Sequence, residues 1–209
     1  MADFIPVNLK VKNKKITMIG GGQVAYRHTK RFLAAGANVT IVSAQMIEPF
    51  FVLETEAKLT LQIREVLASE RFETDLLCLA TDDEQLNHSL YDNNQHLSFI
   101  YLANDLEQSD LHFMCKLEQG PFVFAWSTNG ASPAYAKSLS EKFKKQLPLD
   151  RIESDLQFLG KARVLIKGFQ LPSNIQKKLL KEIAEESFLK DSNREGNLLQ
   201  RLVDSKGHE

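Results

Sequence analysis

Three consecutive glycines set between an apolar run and a helix-forming stretch constrain this chain more than any other feature: Ile16-Thr17-Met18-Ile19, then Gly20-Gly21-Gly22-Gln23-Val24-Ala25. Arg27 to Ala35 reads as a helix stopped by Gly36, and Asn38 to Val42 reads as a second strand. Strand, tight turn, helix, glycine stop and strand in about thirty residues is the layout of a dinucleotide-binding unit. Gly20 permits the tight turn, and Gly22 lets backbone N–H groups approach a pyrophosphate with no Cβ in the way. Ala25 stands where a third glycine is usual and is small enough for the helix to lie close on the strand. A plain glycine turn in a parallel sheet is the alternative.

The α/β style continues. Leu59 to Ile63 alternates apolar and polar residues, as a half-buried or edge strand does. Leu76-Leu77-Cys78-Leu79-Ala80 is a continuous apolar run, expected of a strand covered on both faces. Thr81-Asp82-Asp83 supplies N-cap chemistry for a helix through about Tyr91, and Phe99 to Ala103 is the next strand, ending at Asn104-Asp105. This alternation predicts an α/β fold: a Rossmann-like parallel sheet with helices on both faces.

Around Leu111 the style changes. Gly120-Pro121 leads into an aromatic-rich strand, Phe122 to Trp126, followed by a loop at Ser127-Thr128-Asn129-Gly130. Ser132 then serves as N-cap and Pro133 as first helical residue of a helix ending near Leu147. From Leu149 the chain is helical and charged, with Ile152, Leu156 and Leu159 at helical spacing. Pro172 starts a further helix carrying Ile175, Leu179, Leu180 and Ile183. Asp191 to Val203 reads as a last short helix and Asp204 to Glu209 as a frayed tail. The simplest division is a nucleotide-binding domain over 1–112, a small strand-helix region over 113–148 and a helical C-terminal domain over 149–209.

Composition narrows the partners. A net charge of -1 over 209 residues gives no electrostatic reason to expect nucleic acid or an anionic membrane. No apolar run approaches the roughly 18 residues of a membrane span. Met1 to Pro6 lacks the basic and apolar regions of a secretion signal, so cytoplasmic residence is the expectation. Cys78 and Cys115 lack metal-type spacing, and Cys78, inside an apolar strand, reads as inert packing.

In an open α/β sheet, ligands bind beyond the carboxyl ends of the strands. Gly20 to Ala25, Ser43-Ala44-Gln45, Thr81-Asp82 and Asn104-Asp105 are therefore the candidate segments. An acid for a ribose, or an arginine for a 2′-phosphate, is absent at Ser43, Ala44 and Gln45, so this rule leaves NAD against NADP open. Thr81 and Asp82 line a cofactor groove or cap the next helix, roles that are compatible. Asp105 is a candidate general base for oxidation by hydride loss, or a turn aspartate. Ser127 and Thr128 are candidates for binding an anionic substrate group, or plain turn residues. His28 is expected at the surface, His88 and His96 in solvent, and His112 near enough in sequence to Asp105 and Asp110 to join a polar crevice. No His/Cys/Asp set has ligand spacing, so no metal site is assigned. Lys142, Lys144 and Lys145, like Lys177, Lys178 and Lys181, read as the wet faces of amphipathic helices, with a polycarboxylate as the other reading.

Four stretches in order carry a resemblance: Phe4-Ile5-Pro6-Val7-Asn8-Leu9; Gly20 to Ala25 with Arg27; Ala80-Thr81-Asp82-Asp83 followed by Asn87; and Ser127-Thr128-Asn129-Gly130-Ala131-Ser132-Pro133. Residues 4–148 resemble the precorrin-2 dehydrogenase/sirohydrochlorin ferrochelatase family, which includes the N-terminal module of siroheme synthases. The resemblance implies NAD-dependent oxidation of precorrin-2 to sirohydrochlorin, an eight-carboxylate tetrapyrrole; some members then insert ferrous iron. It also implies a homodimer, with the region after about Leu111 forming the interface and substrate crevice. Carried onto this chain, Gly22, Gln23 and Val24 hold the pyrophosphate and Ser43-Ala44-Gln45 lie near the adenosine ribose. The family strand that corresponds to Tyr101-Leu102-Ala103-Asn104-Asp105 ends in a functional aspartate. An ungapped match puts Asn104 there, while a dehydrogenase-only branch carries the acid one residue later, at Asp105. The proline expected soon after is Met114, and Thr128-Asn129 replace small residues.

The expectation is thus an NAD-dependent precorrin-2 dehydrogenase. In it Gly20 to Val24 position the nicotinamide, Asp105 assists proton removal, and Ser127, Thr128 and the helix lysines orient carboxylates. The alternatives are a tetrapyrrole-binding protein that has lost catalysis, a chelatase acting without nicotinamide, and an unrelated small Rossmann oxidoreductase.

Overall fold

The computed structural model describes residues 4–53 and 58–206, and the chain forms two compact units, Met1–Phe113 and Met114–Glu209. The first contains, in order, β1 (Lys15–Ile19), α1 (Gln23–Ala34), β2 (Asn38–Ser43), α2 (Pro49–Leu53), β3 (Leu59–Ile63), β4 (Leu76–Leu79), α3 (Glu84–Asn93) and β5 (Ile100–Leu102). Its five strands are all parallel, in the order β3-β2-β1-β4-β5. β3 is an edge strand, as its alternation predicts, and β4 is buried at every position.

Period-two alternation builds the core on two faces. Ile16, Met18, Val39, Ile41, Leu76, Cys78 and Tyr101 face Ala25 and Phe32 of α1 and Phe50 of α2. Ile19, Val42, Leu77, Leu79, Ile100 and Leu102 face the other way, onto Leu86 and Leu90 of α3 and Phe72. Helices therefore cover both faces, and the continuous apolar run of β4 follows from its having no wet side. α2 is a single turn that the sequence pattern gives no sign of. Burial pushes the thiol of Cys78 up, in keeping with inert packing.

His28 departs from expectation. It is 2% exposed rather than at the surface, packed against Phe113 at 4.3 Å and Tyr101 at 5.3 Å between ring centroids. Ala25, His28, Thr29 and Phe32 are the buried members of α1, spaced i, i+3, i+4, i+7, so helical periodicity alone assigns His28 to the inner face. Neither ring nitrogen, nor the Thr29 hydroxyl, has a hydrogen-bond partner. Burial first, then Arg27 and Arg31, lower the His28 pKa from 6.5 to about 4. The unfolded chain protonates near 6.5 and the native state only near 4, so this contribution to stability is complete above pH 6.5 and is lost as pH falls to 4. Urea unfolding of the wild type should lose about 3 kcal/mol more than His28→Leu between those pH values. Parallel pH profiles for the two proteins would refute it.

The second unit contains β6 (Cys115–Gln119), β7 (Phe122–Trp126), α4 (Pro133–Gln146), α5 (Leu149–Gly168), α6 (Ser173–Glu182), α7 (Glu186–Leu189) and α8 (Arg194–Lys206). β6, charged and weakly apolar, has no counterpart in the expected elements. It is a strand because Gly120-Pro121, with Gly120 at φ 52°, folds it antiparallel onto β7, pairing Leu117 with Phe124 and Cys115 with Trp126. Trp126 donates its indole N–H to the Ala136 carbonyl at 3.2 Å, and Phe143 of α4 packs edge-on against Phe124 and Trp126. Ser132 caps α4 through the Tyr135 N–H, with Pro133 at the first helical position. Phe158, Ala162 and Ile166 of α5 form a second core with Leu171, Leu179, Ile183, Phe188, Leu198 and Leu202. Arg194 ties it down, bonding Asp155 at 2.6 Å with its guanidinium over the Phe158 ring. The expected frayed tail is helical through Lys206, and 207–209 lie outside the described residues. Among the described residues no helix is long and apolar enough to cross a membrane.

Candidate functional site

The strand order reverses beside β1: the chain winds outward through β2 and β3, then returns to place β4 on β1's other flank. The crevice at such a reversal, beyond the carboxyl ends of the strands, is where open α/β sheets take their ligands. Gly20 to Gly22 leave β1 there and Thr81 follows β4. The two ends touch, because a Cβ on Gly20 would lie 2.4 Å from the Ala80 carbonyl oxygen, and Gly20 has φ 117°.

The three glycines divide the work differently from the expected scheme. Gly20 makes the turn. Gly21, to which the sequence pattern assigns no job, is buried against the segment after β2, where a Cβ would meet the Gln45 carbonyl oxygen at 2.1 Å. Its own carbonyl accepts the Ile47 N–H at 3.0 Å. Gly22 is exposed, with nothing within 4 Å of a Cβ position, and it is the N-cap of α1 with no side-chain cap. The first backbone bond of α1 runs from the Tyr26 N–H to the Gly22 carbonyl, so the N–H groups of Gln23, Val24 and Ala25 lie ahead of it. The first turn carries no acid, and Val24 is 38% exposed. Open space above a glycine, leading N–H donors and the positive end of a helix fit a pyrophosphate. The residues present therefore suit a dinucleotide.

Ser43, Ala44 and Gln45 form the rim after β2. Ala44 and Gln45 are exposed, and the Ser43 hydroxyl donates to the Gln45 carbonyl at 2.7 Å, which shapes the rim. Arg64 follows the paired strand β3 and donates its backbone N–H to the Ser43 carbonyl. Its guanidinium is spent on Glu70, at 2.6 and 2.9 Å, on Gln62 and on the Glu65 carbonyl. The Glu70 partner holds Arg64's pKa above its usual range, and Arg64 holds Glu70's below.

Beyond β4 and β5 a polar network joins the strand ends. The cap of α3 is Asp83, accepting the Leu86 N–H at 3.0 Å, which leaves Thr81 for another task. The Thr81 hydroxyl meets Asn87 Oδ1 at 2.7 Å, and Asn87 Nδ2 donates to the Thr81 carbonyl at 3.1 Å and to Asn104 Oδ1 at 3.4 Å. Asn87 is fully buried and cross-links the ends of β4 and β5. The signal for it was an asparagine on the inner face of α3, three residues before buried Leu90. Asn104 is exposed and Asp105 half-buried, one Asp105 oxygen capping the backbone N–H groups of Glu107 and Gln108.

The first unit thus brings Gly20, Gly22, Gln23, Val24 and Thr81 to one crevice rim, with Asn104 and Asp105 at the neighbouring strand end. Ser127 and Thr128 belong to the second unit. There Ser127 Oγ accepts the Asn129 N–H at 2.9 Å, and the Thr128 hydroxyl lies 3.4 Å from both the N and the O of Ser132. Asn129 and Gly130 both have positive φ, 48° and 81°. His88 is paired with Gln108 and His96 with the Phe72 carbonyl, so neither is simply solvated. His112 bonds the Leu106 carbonyl and stacks on Phe4. A groove of about 330 Å³ opens at the opposite, amino end of the sheet, lined by Lys14, Asp75, His96 and Phe99. Lys14 pairs there with Asp75 at 2.8 Å, and the groove is remote from the strand reversal.

A family model described as "Putative NAD(P)-binding" matches residues 7–114, and one described as the SirC C-terminal domain matches residues 153–196. The siroheme synthase of Pseudoalteromonas translucida is 28% identical over 169 residues, covering 80% of this chain and 34% of its own length. The precorrin-2 dehydrogenase of Priestia megaterium is 24% identical over 196 residues, covering 94% of this chain and 96% of its own. The chain therefore spans about a third of the siroheme synthase it matches and nearly all of the dehydrogenase. The solved structure of SirC, precorrin-2 dehydrogenase, has the same fold, with a TM-score of 0.82 at 24% identity over 96% of this chain and all of that one.

Proposed function

Because the chain belongs to the NAD(P)-binding family whose model spans residues 7–114, we propose that it is an NAD-dependent precorrin-2 dehydrogenase, oxidising precorrin-2 to sirohydrochlorin in siroheme or corrinoid biosynthesis. The observation that carries this reading is the open cradle at Gly22, set at the strand reversal on the same carboxyl edge of the sheet as Asp105. A relative that is a precorrin-2 dehydrogenase along almost its whole length supports it further.

Gly20, Gly22, Gln23 and Val24 hold the pyrophosphate, with the leading N–H groups of α1 as donors. Ser43, Ala44 and Gln45 border the adenosine ribose and Thr81 the nicotinamide side. The bound nicotinamide supplies the hydride acceptor. Asp105 takes the proton the substrate gives up and Asn104 orients the substrate beside it; in the second unit Ser127 and Thr128 are the hydroxyls that suit a carboxylate. NAD is favoured over NADP because Arg64, the arginine beside the ribose rim, is occupied by Glu70 and leaves no free fork for a 2′-phosphate. The strand-helix region 113–148 forms a homodimer interface. Val123 of β7, an apolar side chain on this hairpin, is 46% exposed and available to a second copy.

Incubating the purified protein with precorrin-2 and either nucleotide tests the proposal. With NAD the absorbance should change to that of sirohydrochlorin as NADH appears, from a species of twice the chain mass; NADP should be at least about tenfold less efficient. No oxidation with either nucleotide would reject the enzyme reading.

A further inference from the structure

The two oxygens of the Asp105 carboxylate are held differently. Oδ1 accepts the backbone N–H groups of Glu107 at 3.0 Å and of Gln108 at 3.1 Å. Oδ2 faces the imidazole of His88, 3.8 Å from Nε2. The other ring nitrogen, Nδ1, is hydrogen-bonded to the side-chain Oε1 of Gln108. An amide oxygen only accepts, so Nδ1 carries a hydrogen toward Gln108, and Nε2 is the ring nitrogen that faces Asp105. Gln108 thus fixes both partners, the carboxylate through its backbone and the imidazole tautomer through its side chain. The His88 side chain is 42% exposed, so the ring reaches from a half-buried carboxylate to water.

We propose that His88 is a positioning residue for Asp105 that carries away the proton this carboxylate receives. The inference rests on Asp105 being the base of the proposed oxidation. In each turnover the substrate loses a hydride, with its two electrons, to the nicotinamide and a proton to Asp105 Oδ2. The resulting carboxylic acid hands that proton to His88 Nε2, and the imidazolium releases it to water, leaving both side chains as they began. A 3.8 Å separation is the loose geometry that closes when substrate binds. On α3 His88 has Glu84 and Asp92 four residues to either side in sequence, and the segment after β5 carries Asp105, Glu107 and His112, of which Asp105 faces the ring.

The test is steady-state oxidation of precorrin-2 by the full chain carrying His88→Ala, His88→Gln, Asp105→Asn, or His88→Ala with Asp105→Asn. His88→Ala should lower kcat about tenfold while sparing KM and NAD affinity, and added imidazole should restore the rate. His88→Gln, which keeps a polar side chain but cannot take a proton, should fall as far. The double variant should be no slower than Asp105→Asn alone, because the relay has nothing left to serve. A His88→Ala rate within about twofold of wild type, recovery by His88→Gln, or a loss that imidazole does not repair would overturn the proposal. NAD affinity identifies any variant that has merely unfolded, and His88→Gln then decides. Full activity of Asp105→Asn would instead remove the reading of Asp105 itself.

Discussion

Gly21→Ala should unfold the nucleotide turn and abolish NAD binding together. The added methyl lands 2.1 Å from the Gln45 carbonyl oxygen and 2.8 Å from the Met46 Cα, both backbone, so no rotamer change relieves it. The Gly21 carbonyl also holds the Ile47 N–H at 3.0 Å, stitching the glycine turn to the rim after β2. Making room means parting these two segments, which form both halves of the proposed dinucleotide site. Overpacking usually costs 1–3 kcal/mol, and with backbone on the far side the cost here should reach about 3 kcal/mol. Gly22→Ala is the control. Its methyl meets nothing within 4 Å, so stability should hold to within a few tenths of a kcal/mol while NAD binding weakens, because the methyl fills the space a phosphate needs. Urea unfolding and calorimetric titration with NAD read both quantities. A Gly21→Ala protein as stable as wild type would mean that the turn and the rim are not packed as described.

Asp105→Asn should lower kcat about a hundredfold or more, some 2.7 kcal/mol of barrier, and leave the NAD dissociation constant unchanged. The substitution is isosteric. An asparagine oxygen still accepts the Glu107 and Gln108 N–H groups, so the loop after β5 keeps its shape while the proton acceptor is lost. Asn104→Ala touches an exposed side chain whose one partner is Asn87 at 3.4 Å, and its effect on kcat should stay below about tenfold. The pair of results decides which of the two adjacent residues is the family's functional aspartate. A larger loss at Asn104 than at Asp105 would reverse the assignment.

Much of both units could be read from consecutive residues. The glycine turn, the buried run Leu76 to Leu79, the edge strand Leu59 to Ile63 and the Ser132-Pro133 helix start are all where local patterning puts them. The character of single residues misleads at two places. His28 looks polar and so external, yet its spacing with Ala25 and Phe32 places it inside. β6 is charged and weakly apolar, and its pairing across Gly120-Pro121 is what makes it a strand.

The candidate site was legible only by segments. That Gly20, Thr81 and Asn104 each follow a strand is a local fact, and the carboxyl-end rule then marks them. That Asn87 ties Thr81 to Asn104, or that His88 faces Asp105 while Gln108 orients both, depends on how α3 lies across β4 and β5.

From the amino-acid order alone came the fold class and the nucleotide turn, because residue periods of 2 and 3.6 and the spacing of glycines are properties of neighbours along the chain. The job of Gly21, the link that Asn87 makes between Thr81 and Asn104, and the approach of His88 to Asp105 came only from the folded molecule. Each depends on atoms from distant segments brought together by the parallel register of the sheet, and no local pattern records that register.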